Sequence, residues 1–266
     1  MALERIDYDD RQHRVYAKAR AMSPEVLRGW LAAFARHADP RRPLAVLDLG
    51  SGTGRFTPAL ADTFGGPVTG VEPSRRMRAV AEESAAHPAV RYLDGSAERI
   101  PLPDGSCDLV LMFLSWHHVA DRPAAAAEVA RVLRPGGRLL LRSTFGDRIP
   151  PKLWHRYFPG ALAVERELFP TLADTVAVFG AAGFSRVALD TVTERYATSL
   201  AGYAERLRLR GISVFEYLAE TEIEAGFAAL DADVAAETAA GRPRPVEEDL
   251  DLLVFAAPGQ RSASHG

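Results

Sequence analysis

The chain has 266 residues, of which 47% are hydrophobic and 25% charged, and its formal net charge at pH 7 is −3. These values are typical of a globular protein with a full core, and they give no electrostatic reason to expect binding to nucleic acid or to a membrane. Cys107 is the single cysteine, which excludes a disulfide framework and a thiolate metal cluster. Because the first residues do not form a signal peptide and no apolar run is long enough to span a bilayer, we expect a reduced, cytoplasmic protein.

Apolar runs alternate with amphipathic stretches from about residue 24 to residue 145. The predicted helices here are 24–37, 56–64, 74–86 and 123–133, and the predicted strands are 44–49, 68–71, 90–93, 108–114 and 138–142. Repeating strand and helix imply parallel strands joined by right-handed crossovers, hence a doubly wound α/β sheet. Such sheets bind ligands at the carboxyl ends of their strands.

The pattern changes after residue 145. Residues 146–169 are aromatic-rich and predicted to be irregular; a helix over 171–182, a strand over 186–196, a largely helical stretch over 198–240 and a strand over 252–256 follow. The helical stretch is too long for a connection, which indicates a cap over the pocket. The predicted parts are an N-terminal helical arm (1–43), a Rossmann-like core (44–197 and 250–258) and a helical cap or substrate region (198–249).

Residues 46–54 carry the strongest local signal, because a buried strand ends in an acidic residue and is followed by three alternate glycines, Gly50, Gly52 and Gly54. Glycine allows a sharp turn and close approach of the backbone to a ligand, as in a loop that binds a nucleotide-type cofactor. A dinucleotide fingerprint needs its third glycine three positions after the second, where this chain has Arg55. That position weakens the dinucleotide interpretation.

The segment instead resembles motif I of the class I S-adenosylmethionine-dependent methyltransferases, of the type found in ubiquinone biosynthesis. Four further segments are similar to motifs of that family in the same order: 68–74, 95–101, 104–110 and 132–137. The five motifs span about residues 44–145. The resemblance implies a Rossmann-like methyltransferase fold, a seven-stranded and mostly parallel sheet with the helical cap inserted before its last strand.

The resemblance also implies S-adenosylmethionine as the cofactor and a role for each motif residue. Asp48 would orient the loop and receive the ammonium group directly or through water. Glu72 would accept hydrogen bonds from the ribose diol, and Met77 could pack against an adenine face. The implied cofactor-binding residues are Asp48, Gly50, Ser51, Gly52, Thr53, Gly54, Glu72, Pro73, Met77, Ser96, Ala97, Glu98 and Leu114. Tyr16 and Arg20, with Tyr8 before them, are similar to an arm that folds over the cofactor in some relatives, although ordinary surface packing explains them equally well.

His117 and His118, after the fourth strand, are the candidate catalytic residues. One imidazole could accept a proton from the methyl acceptor, because histidine titrates near neutral pH. The alternative, which we favour, is structural: adjacent histidines that point in opposite directions and shape the wall. Trp154, His155 and Tyr157 could line an acceptor pocket, or form a small aromatic core. Adjacent histidines are poorly spaced for chelation, so no metal site is expected.

The predicted function is methyl transfer to a small molecule. The chain contains no asparagine and so lacks the Asn-Pro-Pro-Tyr type motif of base and amide methylation, and Cys107 does not resemble a cytosine-methylating nucleophile. One alternative stays open: a protein that binds S-adenosylmethionine without transferring methyl, as a regulator or a cyclase. Arg55 and the absence of a Tyr-x-x-x-Lys pair disfavour a nicotinamide oxidoreductase. The acceptor, its methylated atom and the oligomeric state are not predicted.

Overall fold

The structure is a computed structural model that describes residues 22–259. Its strands are β1 (Val46–Leu49), β2 (Val68–Val71), β3 (Val90–Leu93), β4 (Cys107–Phe113), β5 (Leu133–Arg142), β6 (Ser185–Ala197) and β7 (Val246–Ala256). Its α-helices are α1 (Pro24–His37), α2 (Thr57–Phe64), α3 (Arg75–Ser84), α4 (Arg122–Val132), α5 (Ala161–Leu168), α6 (Leu172–Ala181), α7 (Leu200–Arg208) and α8 (Glu220–Ala240). No helix within this described range has both the length and the apolar character needed to cross a membrane.

All seven strands form one sheet in the order β3-β2-β1-β4-β5-β7-β6. The pairs β1–β2, β1–β4, β2–β3 and β4–β5 are parallel, whereas β7 runs antiparallel to β5. The helices α7 and α8 lie between β6 and β7 in the chain. The predicted fold class, a seven-stranded and mostly parallel sheet with helices inserted before the last strand, is therefore confirmed.

Residues 27–143, 173–192 and 251–259 form one compact unit, which we call the sheet unit. Its central strands β1 and β2 are buried along their whole length, because they are apolar and covered on both faces. Beside them Phe113 packs edge-on against Trp30, with ring centroids 4.9 Å apart, and against Phe56 at 4.5 Å. This packing fixes the carboxyl ends of the strands.

Residues 22–26, 144–172 and 193–250 form the other unit, which we call the helical unit. It has its own aromatic core, in which Trp154, Phe158 and Phe215 are buried with Tyr203 and Leu230. Trp154 lies 5.6 Å from Phe215 between ring centroids. Residues 144–172 share this core with the helices that follow β6 and with Val246 of β7.

Three predicted segments differ from the structure, and the first is β5, which begins at Leu133 and not at residue 138. Residues 146–169 are less irregular than expected, since a 3₁₀ helix (Leu153–Arg156) and α5 form there. The last strand begins at Val246 and not at residue 252. Its early residues alternate between buried Val246 and Leu250 and exposed charged positions, whereas the sequence prediction followed the apolar run alone.

Candidate functional site

The predicted cofactor loop joins β1 to α2 at the carboxyl end of the sheet. Its three glycines have left-handed backbone conformations, with φ of 76° at Gly50, 56° at Gly52 and 77° at Gly54. The amides of Gly50 and Ser51 donate to the carbonyl of Val71 at 2.8 and 3.2 Å. These bonds tie the loop to the end of β2, so the motif residues of the two strands lie together.

Packing inside the protein accounts for two of the three glycines. A Cβ at Gly50 would lie 2.5 Å from the Cβ of Ser115, whose hydroxyl donates to the Leu49 carbonyl at 3.0 Å. A Cβ at Gly54 would lie 2.7 Å from the Cβ of Ala85. Both positions therefore require glycine to let neighbouring protein atoms approach the loop.

Gly52 is the loop glycine that borders open space. A Cβ placed there would meet one atom within 4 Å, the sulfur of Met77 at 3.8 Å. The buried Glu72 carboxylate accepts the Gly52 amide at 3.0 Å and the Ser74 amide at 2.9 Å, so it is held beside the opening. An exposed stretch of backbone next to a fixed carboxylate and a thioether fits a nucleoside cofactor of the implied kind.

Asp48 is enclosed at the end of β1, with 3% of its surface exposed. Its Oδ2 accepts the Thr57 hydroxyl at 2.8 Å. Burial raises the pKa of Asp48 to about 6, against the opposing effects of the Thr57 hydrogen bond and the Arg55 charge. The carboxyl group is thus largely ionised at pH 7 but protonated in mild acid.

Ser51 and Thr53 complete the loop. The Ser51 hydroxyl is buried, has no hydrogen-bond partner in the described part of the chain, and lies 2.9 Å from the position of a Cβ at Gly70. It therefore faces β2. The Gly54 amide donates to the Ser51 carbonyl at 3.0 Å and closes the turn that contains half-buried Thr53.

The start of α3 places Met77 and Pro73 beside Gly52. Ser74 caps this helix, since its hydroxyl accepts the Met77 amide at 3.3 Å. Met77 is buried, whereas Pro73 is exposed and its carbonyl accepts the Arg78 guanidinium at 2.9 Å. The roles assigned to Met77 and Pro73 toward adenine stay predictions.

The segment after β3 forms a tight turn. Ser96 and Arg99 exchange hydrogen bonds between their amides and carbonyls, at 3.4 and 3.2 Å, around Ala97. The Glu98 carboxylate accepts the Ala120 amide at 2.9 Å. The Ser96 amide is thus already used within the turn, whereas the Glu98 carboxylate keeps further acceptor capacity, and the cofactor contacts assigned to Ser96, Ala97 and Glu98 stay predictions.

Leu114 lies at the end of β4 with a φ of 58°, a conformation that costs energy for a residue with a branched side chain. Its amide donates to the Arg142 carbonyl at 2.9 Å, which holds it against the end of β5. Strain of this kind is tolerated where neighbouring structure fixes the backbone, and it is frequent at functional sites.

His117 and His118 lie in a 3₁₀ helix (Trp116–His118) that follows Leu114 and Ser115. Trp116 anchors this turn, because its indole is buried and donates to the Thr175 hydroxyl at 3.1 Å. The two imidazoles are in contact, with ring centroids 3.8 Å apart. The adjacent side chains thus do not point in opposite directions, as the structural interpretation assumed; His117 is half-buried and His118 exposed.

Several candidates fall elsewhere. Tyr16 and Arg20, like Tyr8, lie outside the described residues. Trp154 and Tyr157 belong to the aromatic core of the helical unit, in agreement with the alternative of a small core. No cluster of three or more metal-ligating side chains occurs within residues 22–259.

The buried Glu165 carboxylate is the centre of a polar triad in the helical unit. The Glu165 carboxylate, 2% exposed, pairs with Lys152 Nζ at 2.7 Å and with His155 Nε2 at 2.8 Å. The Lys152 amide donates to His155 Nδ1 at 3.4 Å, so Nδ1 is the acceptor and Nε2 carries the proton. This arrangement joins the 3₁₀ helix at 153–156 to α5.

A groove of about 810 Å³ also lies in the helical unit, lined by residues from the 3₁₀ helix, the start of α7 and the end of α8. Its acidic side chains already have partners. Asp233 accepts the Tyr157 hydroxyl at 2.8 Å, and Glu237 accepts the amides of Leu200 and Arg244 at 2.9 and 3.0 Å. The groove therefore does not offer an unengaged carboxylate among its lining residues.

The sequence prediction did not single out Thr57 or Tyr92, which the structure brings to the loop. Thr57 contacts Asp48, and the Tyr92 ring of β3 lies against Gly70 and Gly54. A tyrosine in a strand is ordinary by pattern, and the threonine follows Asp48 by nine positions without a motif. Their importance depends on contacts between elements that are distant in the chain.

A family model described as a methyltransferase domain matches residues 47–141. An uncharacterised methyltransferase of Mycobacterium tuberculosis is 42% identical over 135 residues, which cover 50% of this chain and 51% of that protein. The chain thus spans about half the length of that curated relative.

A longer match is to the ubiquinone/menaquinone biosynthesis C-methyltransferase of Rubrivivax gelatinosus, 33% identical over 184 residues, covering 62% of this chain and 72% of the relative. Among solved structures, a protein described as a methyltransferase from an antibiotic biosynthesis pathway of Anabaena variabilis has a TM-score of 0.65 at 22% identity, covering 86% and 96% of the two chains. At that identity the structural match shows the shared fold.

Proposed function

The chain belongs to the class I S-adenosylmethionine-dependent methyltransferases, and on this premise we propose that it binds S-adenosylmethionine at the carboxyl ends of β1 and β2 and transfers the methyl group to a small molecule. The observation that carries the proposal is the open backbone at Gly52, bordered by Glu72 and Met77. It lies at the strand ends, where doubly wound folds bind their ligands.

The protein's contribution is binding and orientation. Asp48 receives the ammonium group, Glu72 orients the ribose, and Met77 packs against the adenine. When bound, the cofactor supplies an electrophilic methyl group on a sulfonium sulfur. The loop then holds the donor in line with the acceptor, and near-attack geometry supplies much of the rate enhancement.

We propose that the substrate region comprises residues 144–172 in addition to the predicted cap at 198–249. Support comes from the packing of 144–172 with 193–250 in one unit around a shared aromatic core. The net charge of −3 supports a small molecule over a nucleic acid. Tyr16 and Arg20 are proposed to close over the cofactor.

His117 and His118 are proposed to shape the wall beside the methyl acceptor. Their contact with each other and the anchoring of the turn by Trp116 support a fixed surface. A proton acceptor is required only if the methyl acceptor loses its proton early, and His118, which is exposed, is then the better placed of the two.

A ligand comparison tests the cofactor assignment. S-adenosylhomocysteine is expected to raise the melting temperature, because a ligand that binds only the folded protein stabilises it when its concentration is well above Kd. NAD is expected to leave the melting temperature unchanged. Equal shifts, or none with either ligand, contradict the proposal.

Methyl transfer is tested separately from binding. The protein is incubated with methyl-labelled S-adenosylmethionine and the small-molecule fraction of a cell extract, and label in a new product is the expected result. Binding without any labelled product favours the alternative of a cofactor-binding protein that does not transfer methyl, such as a regulator or a cyclase.

A further inference from the structure

The segment that follows β3 is held by two side chains of α4 that lie one helical turn apart. The Glu128 carboxylate accepts the Ile100 amide at 2.9 Å, and Arg131 donates from Nη2 to the Ile100 carbonyl at 2.9 Å. Arg131 also donates from Nη1 to the Leu102 carbonyl at 2.7 Å. The pair therefore fixes the backbone directly after the turn at 96–99.

The two side chains also fix each other. Arg131 donates from Nε to Glu128 Oε1 at 2.6 Å and from Nη2 to Glu128 Oε2 at 2.8 Å, which is a bidentate arrangement. Nη1 donates in addition to the Asp104 carboxylate at 2.7 Å. Each of the five N–H groups of the guanidinium thus has an acceptor within the protein. These hydrogen bonds from Arg131 lower the pKa of Glu128 below its ordinary value, so its carboxylate is ionised at neutral pH.

The turn itself is tied to the start of the same helix. Glu98 Oε1 accepts the amides of Ala120 and Asp121 at 2.9 and 3.3 Å. Asp121 caps α4, because its carboxylate accepts the Ala124 amide at 3.0 Å. Residues 98–102 are therefore attached to both the start and the last turns of α4.

α4 gives this attachment a firm support. A fully buried face of the helix is formed by Ala125, Ala126, Val129 and Val132. β5 follows the helix directly, at Leu133, and Ile100 and Leu102 are buried as well. A displacement of residues 98–102 therefore requires either the loss of these hydrogen bonds or a shift of α4 in the core.

We infer that Glu128 and Arg131 are positioning residues for recognition of the cofactor's base: through the backbone of Ile100 they hold the turn at 96–98 where it meets the adenine edge. This inference rests on the proposed function and on the cofactor contacts assigned to residues 96–98. Neither side chain is proposed to touch the cofactor.

Arg134 offers a matched comparison, because it forms an ion pair of the same kind away from this turn. Its guanidinium pairs with Asp108 at 2.6 Å, and Asp108 accepts the Ala45 amide at 2.8 Å. Asp108 lies at the start of β4, whereas the cofactor loop lies at the opposite, carboxyl ends of the parallel strands. The loss of Arg134 is therefore expected to reduce stability without changing the turn at 96–98.

The test measures by calorimetry the binding of S-adenosylhomocysteine and of S-inosylhomocysteine, in which a carbonyl oxygen replaces the adenine amino group. The proteins are wild type, Arg131→Gln and the control Arg134→Gln. Wild type is expected to bind S-adenosylhomocysteine about three- to tenfold more tightly than the analogue, because the changed group is an acceptor where adenine has a donor.

In Arg131→Gln the affinity for S-adenosylhomocysteine is expected to fall by about three- to tenfold, the effect of one hydrogen bond, and the preference for adenine to approach one. In Arg134→Gln both quantities should keep their wild-type values. The melting temperature of each ligand-free variant is measured as well. A residue that supports only the fold lowers the melting temperature and leaves the preference between the two ligands unchanged.

The outcomes separate the two proposals. If wild type does not bind S-adenosylhomocysteine, the proposed function fails and the inference fails with it. If wild type binds it without preference over the analogue, or if Arg131→Gln keeps the wild-type preference, the inference alone is overturned. If Arg131→Gln does not fold, Arg131→Lys decides by the same rule, because it keeps the charge while its three ammonium donors cannot replace five guanidinium donors.

Discussion

At the scale of single residues, Glu72 links the two halves of the proposed cofactor site. Its carboxylate accepts amides from the loop, at Gly52, and from the start of α3, at Ser74. Both bonds are made within the protein before any ligand arrives, so the carboxylate is oriented in advance. Preorganisation of this kind reduces the entropic cost of binding.

Replacing Glu72 with alanine is expected to weaken S-adenosylhomocysteine binding by about tenfold or more. The variant loses charge-assisted hydrogen bonds to the ribose, each worth about 1.5–3 kcal/mol, and frees the Gly52 amide. Calorimetry measures the change. Glu83→Ala, an exposed residue on α3, is the matched control and should leave affinity unaltered; an unchanged Kd in Glu72→Ala contradicts the assignment.

The sequence predicts which residues form the candidate site, but it does not predict their surroundings. Asp48, Gly52 and Glu72 follow from strand ends and glycine spacing. The sequence does not reveal that Asp48 is buried against Thr57, or that Glu98 holds the Ala120 amide, because burial and partner choice depend on distant elements. The same limit explains why Tyr92 was missed.

At the scale of elements, the cofactor loop is shaped by what packs against it. Gly65 offers a comparison for Gly54, because both have left-handed backbone, with φ of 68° and 77°. A Cβ at Gly65 would meet no atom within 4 Å, whereas one at Gly54 would press on Ala85 and Tyr92. Comparing substitutions at Gly65 and Gly54 therefore distinguishes the cost of backbone strain, which both positions share, from the cost of steric crowding, which only Gly54 has.

Gly65→Ala is expected to lower the free energy of unfolding by about 1–2 kcal/mol, the cost of a left-handed alanine. Gly54→Ala is expected to lower it by about 2–5 kcal/mol, because overpacking adds to that strain. Urea denaturation measures both. Equal losses would mean that Tyr92 and Ala85 yield without cost, and that the loop is not confined by them.

The predicted and observed bounds of the strands and helices show which sequence patterns predict secondary structure reliably in this chain. The strands β2 and β3 were predicted with their observed bounds, since each is a short segment of strand-forming residues with Val at its start and turn residues on both sides. The first part of β7 and the helix α5 were missed because charged residues occupy their exposed positions. Such segments are ordered by packing against other elements, which local pattern does not contain.

At the scale of the whole molecule, the chain divides into a sheet unit and a helical unit with separate cores. The helical unit contains the polar triad of Lys152, Glu165 and His155. Burial raises the pKa of Glu165, but the His155 hydrogen bond and the Lys152 charge outweigh it, so the pKa lies below its ordinary value of 4.5. The carboxylate therefore stabilises the fold above pH 4.5, and this contribution is lost as the pH falls through the lowered pKa.

Glu165→Gln is expected to lower the free energy of unfolding at pH 7 by about 3–5 kcal/mol, since it leaves the Lys152 charge buried without its counterion. The difference from wild type should shrink as the pH is lowered from 4.5 toward 3. Glu167→Gln, exposed on the same helix, is the control and should have little effect. A loss that does not vary with pH would show that shape, and not charge, is what Glu165 contributes.

The opening of each unit can be followed separately by chemical labelling, because the two units contain different reactive groups. Cys107, the single thiol of the chain, is buried in the sheet unit, and burial raises its pKa. Lys152, one of two lysines in the sequence, is half-buried in the helical unit and paired with Glu165; Lys18→Arg would leave it as the one lysine amine. Reaction with a thiol reagent or an amine reagent would then increase the mass of the protein when the corresponding unit opens. The labelling rates with and without ligand would show whether the ligand protects one unit or both.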